Sequence, residues 1–155
     1  MRIHPPSIDI DATPERVFAF MTNLAFARRW QPDLVAIPRP LTDGGFRVGA
    51  RWRMEVAEYG RSFEVETWVV DMTPNERLVY GMDAPTATVE VDYHLRRDGA
   101  RTRLEVDATI TLKGLMRLFS ALVNGMVRRK FESRLQLLRE AVEAEEANAG
   151  TARTA

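Results

Sequence analysis

Arg51-Trp52-Arg53-Met54-Glu55-Val56-Ala57-Glu58-Tyr59-Gly60-Arg61-Ser62-Phe63-Glu64-Val65-Glu66-Thr67-Trp68-Val69 is the stretch that decides the fold. Apolar and polar residues alternate along both halves, the period-2 mark of strands with one covered face and one wet face. Tyr59-Gly60 supplies a two-residue hairpin loop between them. A loop that short fixes the register: Val56 opposite Phe63, Met54 opposite Val65, Trp52 opposite Thr67. On the reverse face it sets Arg53 opposite Glu66 and Arg51 opposite Trp68, an ion pair and a cation–π contact, so both faces agree on one pairing. The same alternation reaches back through Ala50 and Val48 to Phe46, where the strand is expected to begin.

Downstream, Thr73-Pro74-Asn75-Glu76 is a turn with Pro at its second position. Leu78 to Met82 reads as a short strand. Thr86 to Arg96 reads as another, with Ala87, Val89, Val91, Tyr93 and Leu95 on its apolar side. Asp98-Gly99 is a hairpin signal, and the last strand turns Leu104, Val106, Ala108, Ile110 and Leu112 inward. Upstream, Ser7 to Asp11 is a strand that starts after Pro5 and Pro6, which cannot donate ladder hydrogen bonds. A helix follows with Thr13 as N-cap, Pro14 at its first position and Glu15 near the positive end of its dipole. It carries Val17, Phe18, Phe20, Met21 and Leu24. Asn23 caps a second short helix bearing Phe26 and Trp30, which Pro32 ends. The count is about seven strands, the last six in one antiparallel meander.

From Gly114 the period becomes helical for about thirty residues, with Met116, Phe119, Val123, Val127, Phe131, Leu135, Leu138 and Val142 three or four apart. Leu115, Leu122 and Met126 widen the stripe. Such a helix is ~45 Å long, enough to cross the whole sheet. The expected fold class is therefore α+β: a curved antiparallel sheet wrapped on a long C-terminal helix, with two short helices after the first strand. Residues 1–149 read as one domain and 150–155 as a disordered tail.

The 155 residues include 22 basic and 22 acidic side chains and no cysteine. A chain of this size buries roughly 70% of the surface it exposes unfolded, enough for a real core. No apolar run approaches the ~20 residues of a membrane span. Met1 to Pro6 holds no apolar signal core. Without cysteine there are no disulfides, thiolate zinc sites or cysteine nucleophiles, and the expected location is the cytoplasm. Net neutrality argues against nucleic acid as a partner. A monomer or a homodimer is expected.

A straight rod laid into a curling sheet does not fill the concavity. The space is plugged by large side chains or stays open as a pocket. From the sheet, the candidates to line it are Trp52, Met54, Phe63, Val65, Thr67, Tyr80, Met82, Val91, Tyr93, Val106 and Ala108. The short helices add Phe26 and Trp30, and the long helix adds Met116, Phe119, Val123 and Met126. These side chains either pack the core or form an apolar wall, and methionines and aromatics suit a wall that adapts to a guest.

The order strand, two short helices, meander and long closing helix resembles the helix-grip fold of the SRPBCC superfamily (START, Bet v 1 and polyketide cyclase/dehydrase-like proteins). Ile8-Asp9-Ile10-Asp11-Ala12-Thr13-Pro14-Glu15-Arg16-Val17-Phe18-Ala19-Phe20-Met21-Thr22-Asn23 is similar to the opening of the polyketide cyclase/dehydrase-like members. Trp30-Gln31-Pro32-Asp33 is similar to their second helix end, and Gly114-Leu115-Met116 leading into Phe131, Leu135 and Leu138 to their closing helix. The resemblance covers nearly the entire chain. It implies binding of a hydrophobic small molecule, of lipid, polyketide or aromatic type, in an internal cavity. It equally admits cyclase or dehydratase chemistry there, and fold alone does not choose.

Phosphate-loop, dinucleotide, GxSxG and HExxH signatures are missing. Gly44-Gly45 is a turn. His4 and His94 lie far apart without ligand spacing, His94 is expected to face solvent beside Arg96, and no metal or cofactor is expected. Cyclisation or dehydration needs an acid or base within reach of the substrate. Yet Glu55, Glu64, Glu66, Glu90, Asp92, Glu105 and Asp107 all fall on the outward register. Inward lie only Thr67, Tyr80 and Tyr93, which leaves the two tyrosines as the catalytic candidates. A buried tyrosine hydroxyl needs a partner, either another core group or a ligand oxygen. Asn124 sits at the margin of the helical stripe. Lys130 and Arg134 fall within it and are expected to snorkel or pair at the surface. Gly125 costs roughly 1 kcal/mol relative to Ala and permits a bend or a close approach. Arg128-Arg129-Lys130 reads as a solvated face. Three functional readings stand: a carrier of an apolar molecule, an enzyme acting in the same cavity, and a pocketless interaction protein with a filled core.

Overall fold

The period changes along the chain translate into elements in the computed structural model, which describes residues 1–154. In order these are β1 (Arg2–Ile3), β2 (Ile8–Ile10), α1 (Pro14–Met21), a 3₁₀ turn at Leu24–Phe26, α2 (Ala27–Trp30) and β3 (Arg39–Pro40). Then come β4 (Arg51–Glu58), β5 (Arg61–Thr73), β6 (Arg77–Asp83), β7 (Ala87–Asp98) and β8 (Arg101–Leu112). A 3₁₀ turn at Gly114–Phe119 leads into α3 (Ser120–Thr154). The strands form one antiparallel sheet in the order β1-β8-β7-β6-β5-β4-β3, with β2 also on β8. The last six therefore make the expected meander, and Asn23 caps the turn before α2 by accepting from the Ala25 amide at 3.1 Å.

The β4–β5 register matches the sequence reading pair for pair, from Trp52↔Thr67 to Val56↔Phe63. Tyr59 and Gly60 both have positive φ, 51° and 75°, as a two-residue turn that matches the twist of its strands requires. Arg51 lies 5.4 Å from the Trp68 ring. The ion pairs are diagonal rather than direct: Arg51 takes Glu66, and Arg53 reaches Glu64 at 3.9 Å. A bulge between Val69 and Asp71 breaks the β5–β6 register, which bends the strand and sharpens the twist.

One expectation is corrected. β4 begins at Arg51 rather than Phe46, because Gly44, Gly45 and Gly49 take φ of 89°, 69° and 84° and turn the chain away from the ladder, leaving Val48 exposed. The helix α3 is drawn to Thr154, through alanines of high helix propensity and with the Thr151 hydroxyl donating to the Ala147 carbonyl at 2.9 Å. Residue 155 lies outside the described residues.

The core joins α1 (Val17, Phe18, Phe20, Met21), the inner face of the sheet and α3 from Phe131 onward (Phe131, Leu135, Leu138, Val142) in one apolar cluster. The first half of the long stripe does not follow. Leu115, Leu118, Phe119, Leu122 and Met126 remain exposed, Leu118 at 79%. The stripe is continuous in sequence, but only its later part meets the sheet. Among the described residues no helix is long and apolar enough to cross a membrane.

Candidate functional site

Where the first half of α3 stands off the sheet, a space of about 410 Å³ remains. The sheet side is walled by Met54, Val56, Phe63, Met82, Val89 and Ile110, and the helix side by Met116, Phe119, Leu122, Val123, Met126 and Phe131. Register sets its depth. Val89 and Ile110 are cross-strand partners at the wall; the next pairs, Val91↔Ala108 and Tyr93↔Val106, are already solid core. A second, smaller void of about 30 Å³ lies among Trp30, Trp52, Thr67, Leu78, Tyr80 and Phe46. Met54, Met82 and Arg134 border both spaces, so the small, inner void adjoins the large, outer one across these side chains.

Of the residues expected to line a cavity, Met54, Phe63, Met82, Met116, Phe119, Val123 and Met126 border the outer space. Trp30, Trp52, Thr67 and Tyr80 border the inner one. Phe26, Val65, Val91, Tyr93, Val106 and Ala108 border neither. Four of these lie on β7 and β8 beyond the cavity floor, where the interior is filled, and Val65 is equally buried. Phe26 stacks on Phe20 at 4.9 Å, with the Arg29 guanidinium 5.2 Å from its ring. Asn124 and Gly125 are exposed.

A charged cluster that strand periodicity does not reveal lies on the cavity wall. Arg134 Nη2 donates to Asp33 Oδ2 at 2.5 Å, and Lys130 Nζ lies 3.0 Å from the same oxygen and pairs with Glu58 as well. Lys130 and Arg134 do pair, but inward: the Asp33 and Arg134 side chains are 12% and 14% exposed. The strand-phase test for inward carboxylates could not see Asp33, which comes from the loop after α2. Its one sequence signal was the Trp30-Gln31-Pro32-Asp33 segment. Burial alone would raise the Asp33 pKa, but the charges of Arg134 and Lys130 outweigh it and hold the carboxyl below its ordinary value.

The tyrosines meet. Their hydroxyls are 3.2 Å apart and their rings stack at 5.7 Å. Trp30 stands edge-on to Tyr93 at 6.4 Å, and Trp52 to Tyr80 at 6.5 Å. Burial pushes both hydroxyls above the usual tyrosine pKa, Tyr93 well above, with neighbouring Tyr80 adding to it and Arg134 pulling both back. Both therefore stay protonated at neutral pH and can donate a hydrogen bond, but neither is a ready base. Four buried polar atoms close by, Trp30 Nε1, Asp33 Oδ1, Thr67 Oγ1 and Arg134 Nε, have no hydrogen-bond partner among the described residues. Each such atom costs about 1–3 kcal/mol when left unsatisfied.

A curved antiparallel sheet closed on a long C-terminal helix, with an apolar hollow between them, defines a helix-grip protein of the SRPBCC, Bet v 1-like class. The chain belongs to the polyketide cyclase/dehydrase and lipid transport family, which matches residues 6–143. Its fold is similar to that of TTHA0849 from Thermus thermophilus (19% identity, TM-score 0.75, covering 94% of this chain and 99% of that one). It is also similar to the Zhui aromatase/cyclase from Streptomyces sp. R1128 (13% identity, TM-score 0.78, 92% and 93%). The di-domain ARO/CYC BexL of the BE-7585A biosynthetic pathway is a further likeness (16% identity, TM-score 0.75), with 92% of this chain covering 46% of that one. No curated protein matches the chain in sequence.

Proposed function

We propose that the protein binds a hydrophobic small molecule, of lipid, polyketide or aromatic type, between the sheet and the first half of α3. The observation that carries this reading is the roughly 410 Å³ space walled by Met54, Phe63, Met82, Met116, Phe119 and Met126. Its size falls in the ordinary range of small-molecule sites. Its walls are flexible methionines and aromatics, and burial of apolar ligand area at ~25 cal/mol per Å² supplies the affinity. A solid interior would have favoured a pocketless interaction protein. The same reading makes this a cytoplasmic protein of one or two copies without a nucleic-acid partner, in keeping with its zero net charge.

A cyclase or dehydratase acting in the same cavity is the second reading, favoured by the family and by the tyrosine pair. Its weakness is the direction of the pKa shifts, Asp33 down and both tyrosines up, which moves each group away from neutrality. General acid–base groups work best near the operating pH. What remains for a reaction is hydroxyl donation from Tyr80, which borders the inner void.

Native mass spectrometry of freshly purified protein tests the carrier reading, together with titration of 1-anilinonaphthalene-8-sulfonate. A retained apolar guest or saturable dye binding is expected, and Val89→Trp, which fills the space, should abolish both without altering the circular dichroism. Empty protein that binds no dye overturns the carrier reading.

A further inference from the structure

Three elements each bring a polar side chain to the wall of the inner void: Trp30 ends α2, Thr67 lies in β5 and Arg134 in α3. Trp30 Nε1, Thr67 Oγ1 and Arg134 Nε are all buried without a hydrogen-bond partner among the described residues. Trp30 is 3% exposed and Thr67 fully buried, so neither reaches solvent by turning. The other buried threonine is different: Thr102 donates to the Ala12 carbonyl at 2.7 Å. An indole or guanidinium N–H can only donate, whereas a hydroxyl donates or accepts.

Charge, size and valence choose the occupant. Lys130 and Arg134 face Asp33 and Glu58, so the cluster is balanced and keeps no surplus charge for an anion. The two nitrogens offer a metal ion no lone pair. The void measures about 30 Å³, and a water needs ~10–15 Å³ by the same measure, which leaves no room for a ring. Water also matches the donors: its two lone pairs suit Trp30 and Arg134, and one hydrogen suits Thr67. Its second hydrogen meets the Tyr80 oxygen on the same wall, which can accept while Tyr80 donates to Tyr93 at 3.2 Å.

We infer that the inner void is an internal water site. One ordered water molecule takes the hydrogens of Trp30 Nε1 and Arg134 Nε, donates to Thr67 Oγ1, and pins α2, β5 and α3 together. The inference stands apart from the carrier reading, since the outer space and its guest have no part in it. The water completes the hold on Arg134: Nη2 already goes to Asp33, so the guanidinium is gripped along two edges. It also joins the buried tyrosine pair to the ion cluster, in one polar network from Tyr93 through Tyr80 and the water to Arg134, Asp33 and Lys130. Buried waters with about three protein hydrogen bonds are a structural part of a fold.

Nuclear magnetic resonance of the ¹⁵N-labelled full chain tests the site. The Trp30 indole N–H signal, identified by its loss in Trp30→Phe, should show a dipolar cross-peak to water. In the rotating frame that peak has the sign opposite to one produced by hydrogen exchange. Thr67→Val removes the hydroxyl at nearly constant shape and should abolish the cross-peak, while Thr67→Ser, which keeps the hydroxyl, should retain it. Should Thr67→Val fail to fold, a crystal structure of the parent decides: an oxygen is expected within hydrogen-bond reach of Trp30 Nε1, Thr67 Oγ1 and Arg134 Nε alike. A Trp30 N–H without dipolar contact to water, a cross-peak equally strong in Thr67→Val, or a crystal with no such oxygen overturns the site. Each of these outcomes leaves the carrier reading to be decided by dye binding alone.

Discussion

Asp33 and Arg134, 101 positions apart in the chain, meet at 2.5 Å and tie the loop after α2 to the middle of α3. The contact sits where α3 changes role, between its exposed opening turns and the turns buried from Phe131 onward. Lys130, one turn earlier, leans on the same carboxylate at 3.0 Å. Asp33 therefore holds the helix at the point where the cavity begins.

Asp33→Asn should expose what that contact contributes. Removing one partner of a buried pair leaves the other charge uncompensated and costs about 3–5 kcal/mol; partial exposure places this one near about 3 kcal/mol. Because the folded pKa is lowered, the stabilisation is fully present above the unfolded value near 3.8 and is lost as pH falls through the lower folded value. Urea unfolding of parent and variant should thus show a gap at neutral pH that narrows in acid, as the parent's own carboxyl protonates. A gap that does not change with pH would assign the loss to packing.

That cluster marks the limit of what the sequence discloses. The hairpin register was readable because a two-residue loop leaves one pairing, and the inward phase of Tyr80 and Tyr93 followed from strict alternation. Asp33 sits in a loop, where no period says which way a side chain points. Periodicity also tells which face of a helix is apolar without telling how far it stands from the sheet, so the stripe from Met116 to Val142 looked uniform when only its later part is covered. Phe46 and Val48 continue the alternation of β4, and it was backbone dihedrals at glycine, invisible to that pattern, that took them out of the strand.

The tyrosine pair predicts alkaline behaviour. Both hydroxyls are raised above 10.0, chiefly by burial. The folded state therefore keeps protons that the unfolded chain releases, and stability falls as pH climbs above the unfolded value. In a Tyr59→Phe protein, which retains only Tyr80 and Tyr93, tyrosinate absorbance near 295 nm should appear together with loss of the circular dichroism signal. Tyrosinate that develops while the fold stays intact would show that the pair is reached by solvent.

On the outer face, Trp68 lies across its cross-strand partner Gly81. A Cβ at Gly81 would stand 2.6 Å from Trp68 Cε2 and 2.7 Å from Nε1. The indole is also engaged by Arg51 on a neighbouring strand, so moving it disturbs that contact too. Gly81→Ala should cost about 1–3 kcal/mol, the range for forced overpacking. In Gly81→Ala/Trp68→Ala the clash is gone, so adding the alanine to Trp68→Ala should cost much less than adding it to the parent. Equal increments in the two backgrounds would trace the loss to the backbone of β6 instead.

The two halves of α3 should respond oppositely to the same truncation. Leu138 is fully buried in the core, and Leu138→Ala should cost about 2–5 kcal/mol. Leu122, 66% exposed and on the cavity rim, should lose no more than about 0.5 kcal/mol on truncation, yet bind 1-anilinonaphthalene-8-sulfonate more weakly because part of the wall is gone. Urea midpoints and dye titration separate the two effects. The informative failure is a Leu122→Ala protein as destabilised as Leu138→Ala: side chains at the start of α3 would then be packed against the sheet in solution, and the hollow on which binding depends would be closed.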